Sequence, residues 1–273
     1  MPTPASSRLS TATRSTVDPR RAHSARIWNF WLGGADYYEP DRRVGEGINA
    51  LYPQVSAYAQ ADRQFLGRAV RHLAGPVGIR QFLDIGTGLP TAENTHEIAQ
   101  GVAPDARIVY VDNDPTVLAH ARALLVSAPE GRTEYVDADV RDVDGILEQA
   151  AGTLDFGRPV ALMLLGVLIF VADDEEAGTA VRRLMAALPP GSHLALSHTV
   201  SSSRMPEVDA AVAYWNQHGS PALTQRTPEA IARLMDGLDV LPPGLVPCSR
   251  WRAAGEATDE PEVGMYGAVA RKP

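Results

Sequence analysis

The chain of 273 residues is 45% hydrophobic and carries a formal net charge of −8. This amount of apolar sequence suits one α/β domain with some additions. The acidic balance argues against a nucleic acid partner, because phosphate backbones are bound by basic surfaces. The longest apolar run, Pro159 to Ala172, is shorter than the roughly 20 residues that a membrane-spanning helix needs. We therefore expect no membrane partner.

Cysteine and histidine usage excludes two further classes of site. Cys248 is the only cysteine, so no intrachain disulfide is possible and a cytoplasmic location is indicated. Without a cysteine pair or two histidines spaced for one helix face, we predict no metal site. Residues 1–20 are rich in Ser, Thr, Pro and Arg and lack the apolar core of a secretory signal, which predicts a flexible tail.

Residues 21–75 predict a helical cap ahead of the main domain. Ser24 is suited to begin a short helix that stops at Gly33-Gly34, where the chain can turn. A longer helix with one apolar face fits Ser56 to Ala74, and Gly75 terminates it.

Residues 76–273 alternate between strand and helix patterns, which predicts a cofactor-binding domain. Five apolar runs are typical of parallel strands buried on both faces: QFLDIG, RIVYVDN, TEYVDAD, VALMLLGVLIFV and HLALSHTV. Asp114-Pro115 and Thr227-Pro228 each place a capping residue before a proline that can open a helix. Two later strands, around Val246 to Ala253 and Met265 to Arg271, can form a hairpin. The pattern predicts an α/β fold with a doubly wound, mostly parallel sheet of seven strands.

A glycine turn follows the first strand at Gly86, Thr87 and Gly88. Glycines there let backbone approach a ligand and direct helix N–H groups toward it. A tight turn needed only for packing is the alternative. Acids at the ends of the next two strands favour a ligand site, because carboxyl ends of parallel strands meet at one edge.

We assign these acids to parts of a nucleoside ligand. Asp112, followed by Asn113, is placed to accept hydrogen bonds from both ribose hydroxyls. At the third strand end Asp137 and Asp139 are both candidates. We predict that Asp139 contacts an adenine amino group and that the Val140 backbone N–H contacts a ring nitrogen; a helix cap is the alternative role for Asp139.

The first acid, Asp84, decides between two cofactors. A dinucleotide site needs a third glycine where this chain has Thr91, and the charge of Asp84 would oppose a diphosphate. An acid there suits an ammonium group and a neighbouring sulfonium. The pattern predicts S-adenosylmethionine.

Longer segments resemble the actinobacterial S-adenosyl methyltransferase family across roughly residues 20–270. They are SARIWNFWLGGADYYEPDR, FLDIGTGLPTAENTHEIAQ, ARIVYVDNDPTVLAHARALL, RPVALMLLGVLIFVADD, LALSHTV and RTPEAIARLMDGLDVLPPGLV. The resemblance implies a Rossmann-like class I methyltransferase fold, and we expect Gly34, Asp36 and Leu165 to join the cofactor site. The family pattern Gly-Gly-Lys-Asp-Asn is altered here at Ala35 and Tyr37, and a family histidine is replaced by Ile169.

The acceptor should lie beyond the strand ends, beside the sulfonium. His198 near the fifth strand end is a candidate base, and a structural histidine is the alternative. Tyr37, Tyr38 and Trp215 are predicted to contact the acceptor. We expect Arg26 to Arg42 to cover the active site, whereas Glu207 to Gly219 fits either a lid or an ordinary packed helix.

These observations leave three functions open. A methyltransferase for a small-molecule acceptor is favoured by the acids, the glycine turn and the resemblance. A protein that binds S-adenosylmethionine without transferring its methyl group is the alternative suggested by Ile169. A nicotinamide oxidoreductase would share the general fold only.

Overall fold

The computed structural model describes residues 18–90, 93–124, 126–202, 204–253 and 262–273. Most of the predicted tail and Thr91 lie outside these ranges. Nine α-helices are described: α1 Ser24–Trp31, α2 Glu39–Leu51, α3 Val55–Ala74, α4 Thr95–Val102, α5 Pro115–Leu124, α6 Val143–Ala150, α7 Asp174–Ala186, α8 Pro206–His218 and α9 Pro228–Arg233. The eight described strands are β1 Gln81–Ile85, β2 Arg107–Asp112, β3 Arg132–Asp137, β4 Ala161–Leu165, β5 His193–Thr199, β6 Asp239–Val240, β7 Val246–Pro247 and β8 Met265–Arg271.

All described strands form one sheet, in the order β3-β2-β1-β4-β5-β8-β6, with β7 also paired to β8. The first five strands are parallel, and β8 is antiparallel to β5, β6 and β7. The doubly wound α/β fold is confirmed. The sheet has eight described strands instead of the predicted seven, because two strands of two residues each pair with different parts of β8.

Strand sequences follow their positions in the sheet. Every residue of β1 and β5 is buried, as expected for strands covered by helices on both faces. The edge strand β3 instead exposes Arg132, Glu134 and Asp137. Charges on an edge discourage pairing with another chain.

The helix α2 was not predicted, because Gly45 and Gly47 lower its intrinsic helix propensity. Both glycines are needed for packing. A Cβ atom at Gly45 would lie 2.5 Å from the Phe30 ring, and one at Gly47 would collide with Tyr214. The glycines therefore let α2 lie close to α1 and α8.

The helix α9 is shorter than its sequence suggests. Thr227 Oγ1 accepts a hydrogen bond from Ala230 N at 3.3 Å, which confirms the predicted helix start. The apolar residues Leu234, Met235 and Leu238 would extend the helical pattern, but the helix ends at Arg233 and the chain then turns through Gly237 at φ +81°.

One buried carboxylate joins α1 to α2. Asp41 is fully buried; its Oδ2 accepts hydrogen bonds from Arg26 Nε and Tyr38 N at 2.8 Å each, and its Oδ1 accepts one from His23 N at 2.8 Å. Arg26 is only 4% exposed. The side chains of these helices belong to the same hydrophobic core as the sheet, while the boundary between a cap and a cofactor domain stays a prediction.

Within the described ranges, no helix combines the length and apolar character needed to cross a membrane. The cytoplasmic location stays a prediction.

We expect Asp41→Ala to lower the free energy of unfolding by about 3–5 kcal/mol, because it leaves the Arg26 guanidinium buried without its partner. Urea denaturation measures this change. Glu46→Ala is the control, since Glu46 makes an exposed ion pair with Arg42 and its loss should cost under about 1 kcal/mol. Equal losses in the two variants would contradict the importance of the buried pair.

Candidate functional site

A cleft of about 520 Å³ lies at the carboxyl ends of the parallel strands. It opens between β1 and β4, where the strand order reverses direction. Ligands of doubly wound sheets bind at such a position. The floor comes from the loops after β1 to β4, and the opposite wall comes from α1, α3 and the Ser220-Pro221 segment.

The glycine turn after β1 lines this cleft. Gly86 and Gly88 have φ angles of +79° and +66°, which favour glycine. A Cβ atom at Gly86 would lie 2.5 Å from the Val167 side chain, so packing against the loop after β4 also requires glycine there. Thr87 Oγ1 donates to Val111 O at 3.2 Å and holds the turn against β2. Glycine in this turn therefore serves both close packing and the approach of a ligand to the backbone.

Asp112 connects the second strand end to the glycine turn. Its Oδ2 accepts a hydrogen bond from Gly88 N at 3.0 Å, and Oδ1 accepts one from Asp114 N at 2.9 Å. Burial raises the pKa of Asp112 to about 6, although these backbone N–H groups lower it in part. Each oxygen keeps a lone pair that can accept a ligand hydroxyl.

Asp84 is 4% exposed and lines the cleft beneath the glycine turn. Its Oδ2 accepts a hydrogen bond from Thr95 Oγ1 at 2.6 Å. Burial raises the pKa of Asp84 to about 6, while the Thr95 hydroxyl and the Arg63 guanidinium oppose that change. A cation entering the cleft would stabilise the charged carboxylate.

Asp139 and Val140 line the cleft at the third strand end, together with Asn113. Arg141 Nε and Nη2 each donate to the Asp139 carboxylate at 2.7 Å, and Asn113 Nδ2 donates to it at 3.0 Å. The hydrogen bond with Arg141 holds the pKa of Asp139 below its usual range. A ligand amino group that binds here must replace one of these donors. Asp137, the other candidate, is exposed outside the cleft lining.

The wall opposite the strand ends contains Trp28 and Asn29 of α1, which lie within the predicted cover, together with three residues that were not predicted: His23 before α1 and Asp62 and Arg63 on α3. Phe170 in the loop after β4 was not predicted either. His23 Nδ1 lies 2.9 Å from Asp114 Oδ2 and joins this wall to the second strand end. Burial acts to raise the pKa of Asp114, but the contact with His23 and the hydrogen bonds from Thr116 together outweigh it, and the net change is downward.

A signal for Asp62 was present in the sequence. It lies four residues after Tyr58 and four before Leu66, both of which are buried on the apolar face of α3. A carboxylate in an apolar helical stripe is costly unless something binds it.

His198 lies outside the cleft lining. Its ring is fully buried; Nδ1 donates to Thr199 O at 2.9 Å and Nε2 accepts from Arg226 Nη1 at 2.8 Å, since arginine has no acceptor. Burial lowers the pKa of His198 to about 4. This placement favours the structural alternative over a catalytic base.

The predicted residues from Gly34 to Tyr38 also lie outside the cleft lining. Gly34 packs so closely on Asn29 that a Cβ atom would collide with its side chain. Asp36 N donates to Asn29 Oδ1 at 2.9 Å, while the Asp36 carboxylate is 52% exposed. Tyr37 packs on Phe30, with ring centroids 5.1 Å apart, and Tyr38 covers the Arg26 guanidinium at 5.2 Å. These residues position Asn29 and the start of α2, and the geometry does not support direct ligand contact.

Trp215 supports the cleft from behind. It is 1% exposed, and its Nε1 donates to the carbonyl of Pro221, a cleft-lining residue, at 2.7 Å. Its ring centroid lies 6.3 Å from that of Phe170. Its helix, α8, contacts α2 and is an ordinary packed helix in this structure.

Two further positions named from the sequence, Leu165 and Ile169, lie at the end of β4 and just after it. Leu165 lines the cleft as expected, beside Gly166 and Val167. Ile169 is fully buried in the hydrophobic core and is not among the lining residues. The replacement of a family histidine at this position therefore removes no polar group from the cleft. No group of three possible metal-binding side chains occurs within the described part of the chain.

A family model described as S-adenosyl methyltransferase matches residues 10–273. The chain belongs to the S-adenosyl methyltransferase family. The crystal structure of a DUF574 family protein from Streptomyces avermitilis is 44% identical, covers 94% of this chain and 99% of its own, and has a TM-score of 0.89. That of a Thermobifida fusca protein, described as a candidate methyltransferase, is 36% identical, covers 92% and 95%, and has a TM-score of 0.85. No curated protein matches the chain.

Membership of this family confirms the resemblance expected from the sequence. The chain is a methyltransferase that depends on S-adenosylmethionine, and the nicotinamide alternative is set aside. Ile169, which suggested the alternative of binding without transfer, lies outside the cleft lining.

We expect Asp84→Asn to stabilise the ligand-free protein at neutral pH. A folded pKa of about 6, above the ordinary value near 3.9, means that the folded state binds more protons in this window. Stability from this group is therefore lost as pH rises from about 4 to about 6. The free energy of unfolding of the variant, relative to that of wild type, should therefore rise by roughly 2–3 kcal/mol from about pH 4 to about pH 7.5.

Urea denaturation at the two pH values measures this gain, and the difference cancels any pH-independent effect of the substitution. Asp137→Asn is the matched control, because Asp137 is exposed at the same edge of the sheet. A pH-independent effect of Asp84→Asn would contradict the raised pKa.

Proposed function

We propose that the chain methylates a small-molecule acceptor inside the cleft. The observation that carries this proposal is a single cleft of about 520 Å³ that gathers Asp84, Asp112 and Asp139 from three strand ends and is walled by α1 and α3 on the opposite side. Volumes of 300–1,000 Å³ are typical of small-molecule sites. A compartment walled on both sides suits a small acceptor better than an exposed segment of a macromolecule.

The cleft residues fit the parts of S-adenosylmethionine. Asp112 has acceptor capacity for the ribose hydroxyls, and Asp84 is a buried carboxylate suited to the amino-acid ammonium group. Arg63, whose Nη2 donates to Asn94 Oδ1 at 3.2 Å, provides positive charge for the carboxylate. We assign the adenine to Asp139 and the Val140 N–H; Arg141, which is 51% exposed on its side chain, is the donor best able to move away.

When bound, S-adenosylmethionine supplies an electrophilic methyl group on a sulfonium. The chain's own contribution is to orient the acceptor and exclude water. Orientation alone can supply about 7–11 kcal/mol of a reaction barrier. The absence of His198 from the cleft lining is therefore compatible with transfer.

We further propose that α1 covers the active site, instead of the following Gly33 to Tyr38 segment. Trp28, Asn29 and His23 line the cleft, whereas Gly34, Asp36, Tyr37 and Tyr38 hold these residues from behind. The expectation of an N-terminal cover is retained for Arg26 to Leu32.

Asp112→Ala should weaken binding of S-adenosylhomocysteine at least about tenfold, because hydrogen bonds to a charged group contribute roughly 1.5–3 kcal/mol each. Isothermal titration calorimetry measures the affinity. Asp137→Ala is the control, since Asp137 pairs with Asp112 in register but its side chain is exposed. Unchanged affinity in a folded Asp112 variant would show that the ribose lies elsewhere.

Trp28 should report closure of the cleft. It is the cleft-lining member of the four tryptophans. We expect S-adenosylhomocysteine to change tryptophan fluorescence in wild type and in Trp251→Phe, whose altered ring is buried beside Phe65. Trp28→Phe should lose most of that change while still binding in the calorimeter. A full signal in Trp28→Phe would argue against α1 as the cover.

A further inference from the structure

One carboxylate, that of Asp62, faces the cleft from α3. Asp84, Asp112 and Asp139 stand at strand ends, whereas Asp62 belongs to the opposite wall. Its Oδ2 lies 3.9 Å from the position that a Cβ atom at Gly166 would occupy, so the carboxylate faces the end of β4. This places Asp62 beside the loop of the fourth strand and away from the ribose and adenine side of the cleft.

The neighbours of Asp62 stabilise a negative charge only weakly. Cys248 Sγ lies 3.9 Å from Oδ1, and a thiol is a weak hydrogen-bond donor. Burial raises the pKa of Asp62 to about 6, and the Ser197 hydroxyl and the Arg63 guanidinium oppose this only in part. A cationic ligand group would satisfy the carboxylate much better.

The other four carboxylates of the cleft already have stronger partners or assignments. Asp112 accepts hydrogen bonds from two backbone N–H groups, and Asp139 accepts hydrogen bonds from Arg141 and Asn113. Asp114 contacts His23, and Asp84 is assigned to the cofactor ammonium group. The groups of S-adenosylmethionine therefore leave Asp62 without a role.

Apolar side chains line the same cleft. They include Leu66 from α3 and two flat rings, Trp28 from α1 and Phe170 after β4. Aromatic walls bind flat apolar groups, and their ring faces also attract cations.

We propose that Asp62 binds the protonated amino group of the methyl acceptor, and that the acceptor is a small amine with a flat apolar body. This inference rests on the proposed function. The carboxylate of Asp62 first takes one proton from the bound ammonium. The freed amine lone pair then forms the N–C bond to the methyl carbon, while the C–S bond breaks and its electron pair stays on sulfur. Asp62 finally releases its proton to water.

Three neutral-pH probes of one shape test the proposal: phenethylamine as cation, 2-phenylethanol as neutral molecule and phenylacetate as anion. Calorimetry on protein saturated with S-adenosylhomocysteine measures their affinities. We expect the amine to bind at least about tenfold more tightly than the alcohol, and phenylacetate to bind most weakly. Asp62→Asn should remove the preference for the amine and leave alcohol binding unchanged.

Two controls separate this inference from the proposed function. Asp137→Asn should keep the full preference for the amine. Asp62→Asn should bind S-adenosylhomocysteine within about threefold of wild type, which also reports that its cleft is folded.

Equal binding of the three probes, no measurable binding of the amine, or an unchanged preference in Asp62→Asn would overturn the inference. A large loss of S-adenosylhomocysteine affinity in Asp62→Asn would assign this carboxylate to the cofactor, which overturns the inference and keeps the proposed function. Wild type that does not bind S-adenosylhomocysteine would overturn both.

Discussion

Buried negative charge is the constraint around which the cleft is organised. Parallel strands bring their carboxyl ends to one edge of the sheet, and here three of those ends deliver Asp84, Asp112 and Asp139. Burial opposes ionisation of Asp84 and Asp112, as it does for Asp62 on the opposite wall. Backbone N–H groups, the hydroxyls of Thr95 and Ser197 and the guanidinium of Arg63 compensate in part. A cationic ligand completes that compensation, so the features that destabilise the ligand-free cleft favour binding of a sulfonium and an ammonium group.

The N-terminal helices turn this edge into a compartment, and they reach it through close packing. Gly34, Gly45 and Gly47 each sit where a Cβ atom would meet a neighbouring side chain, so helices α1, α2 and α8 can approach closely. Asp41 then fixes α1 against α2 through Arg26 and two backbone N–H groups. Residues Gly34 to Tyr38 resemble a ligand-binding motif but lie outside the cleft lining. They support the cleft indirectly, because they hold Asn29 and the start of α2.

The floor of the cleft was predictable from sequence, whereas the wall was predictable only for the segment around α1. Asp84, Gly86, Asp112 and Asp139 each lie at or just after the end of a strand, and parallel topology alone brings strand ends together. Asp62 comes from a helix whose orientation over the sheet depends on distant packing, although its place in an apolar stripe was visible. The sequence left His198 between a base and a structural histidine for a similar reason. Its partner Arg226 is remote in sequence, and only the fold brings the guanidinium to Nε2. The helix α2 was missed because its glycines serve tertiary contacts at the expense of local propensity.

The distribution of polar groups also indicates how the cleft acts. His198 is buried and neutral beside Arg226, and Ile169 is part of the core, so the end of β4 offers no imidazole to an acceptor. The Asp62 carboxylate of α3 faces the end of β4, and apolar side chains line the same cleft. A carboxylate whose pKa lies near 6 is charged at neutral pH, yet it accepts a proton more readily than an ordinary aspartate. One residue can therefore both attract a cationic acceptor and take its proton, and the remaining demand on the cleft is to hold the nucleophile in line with the methyl group.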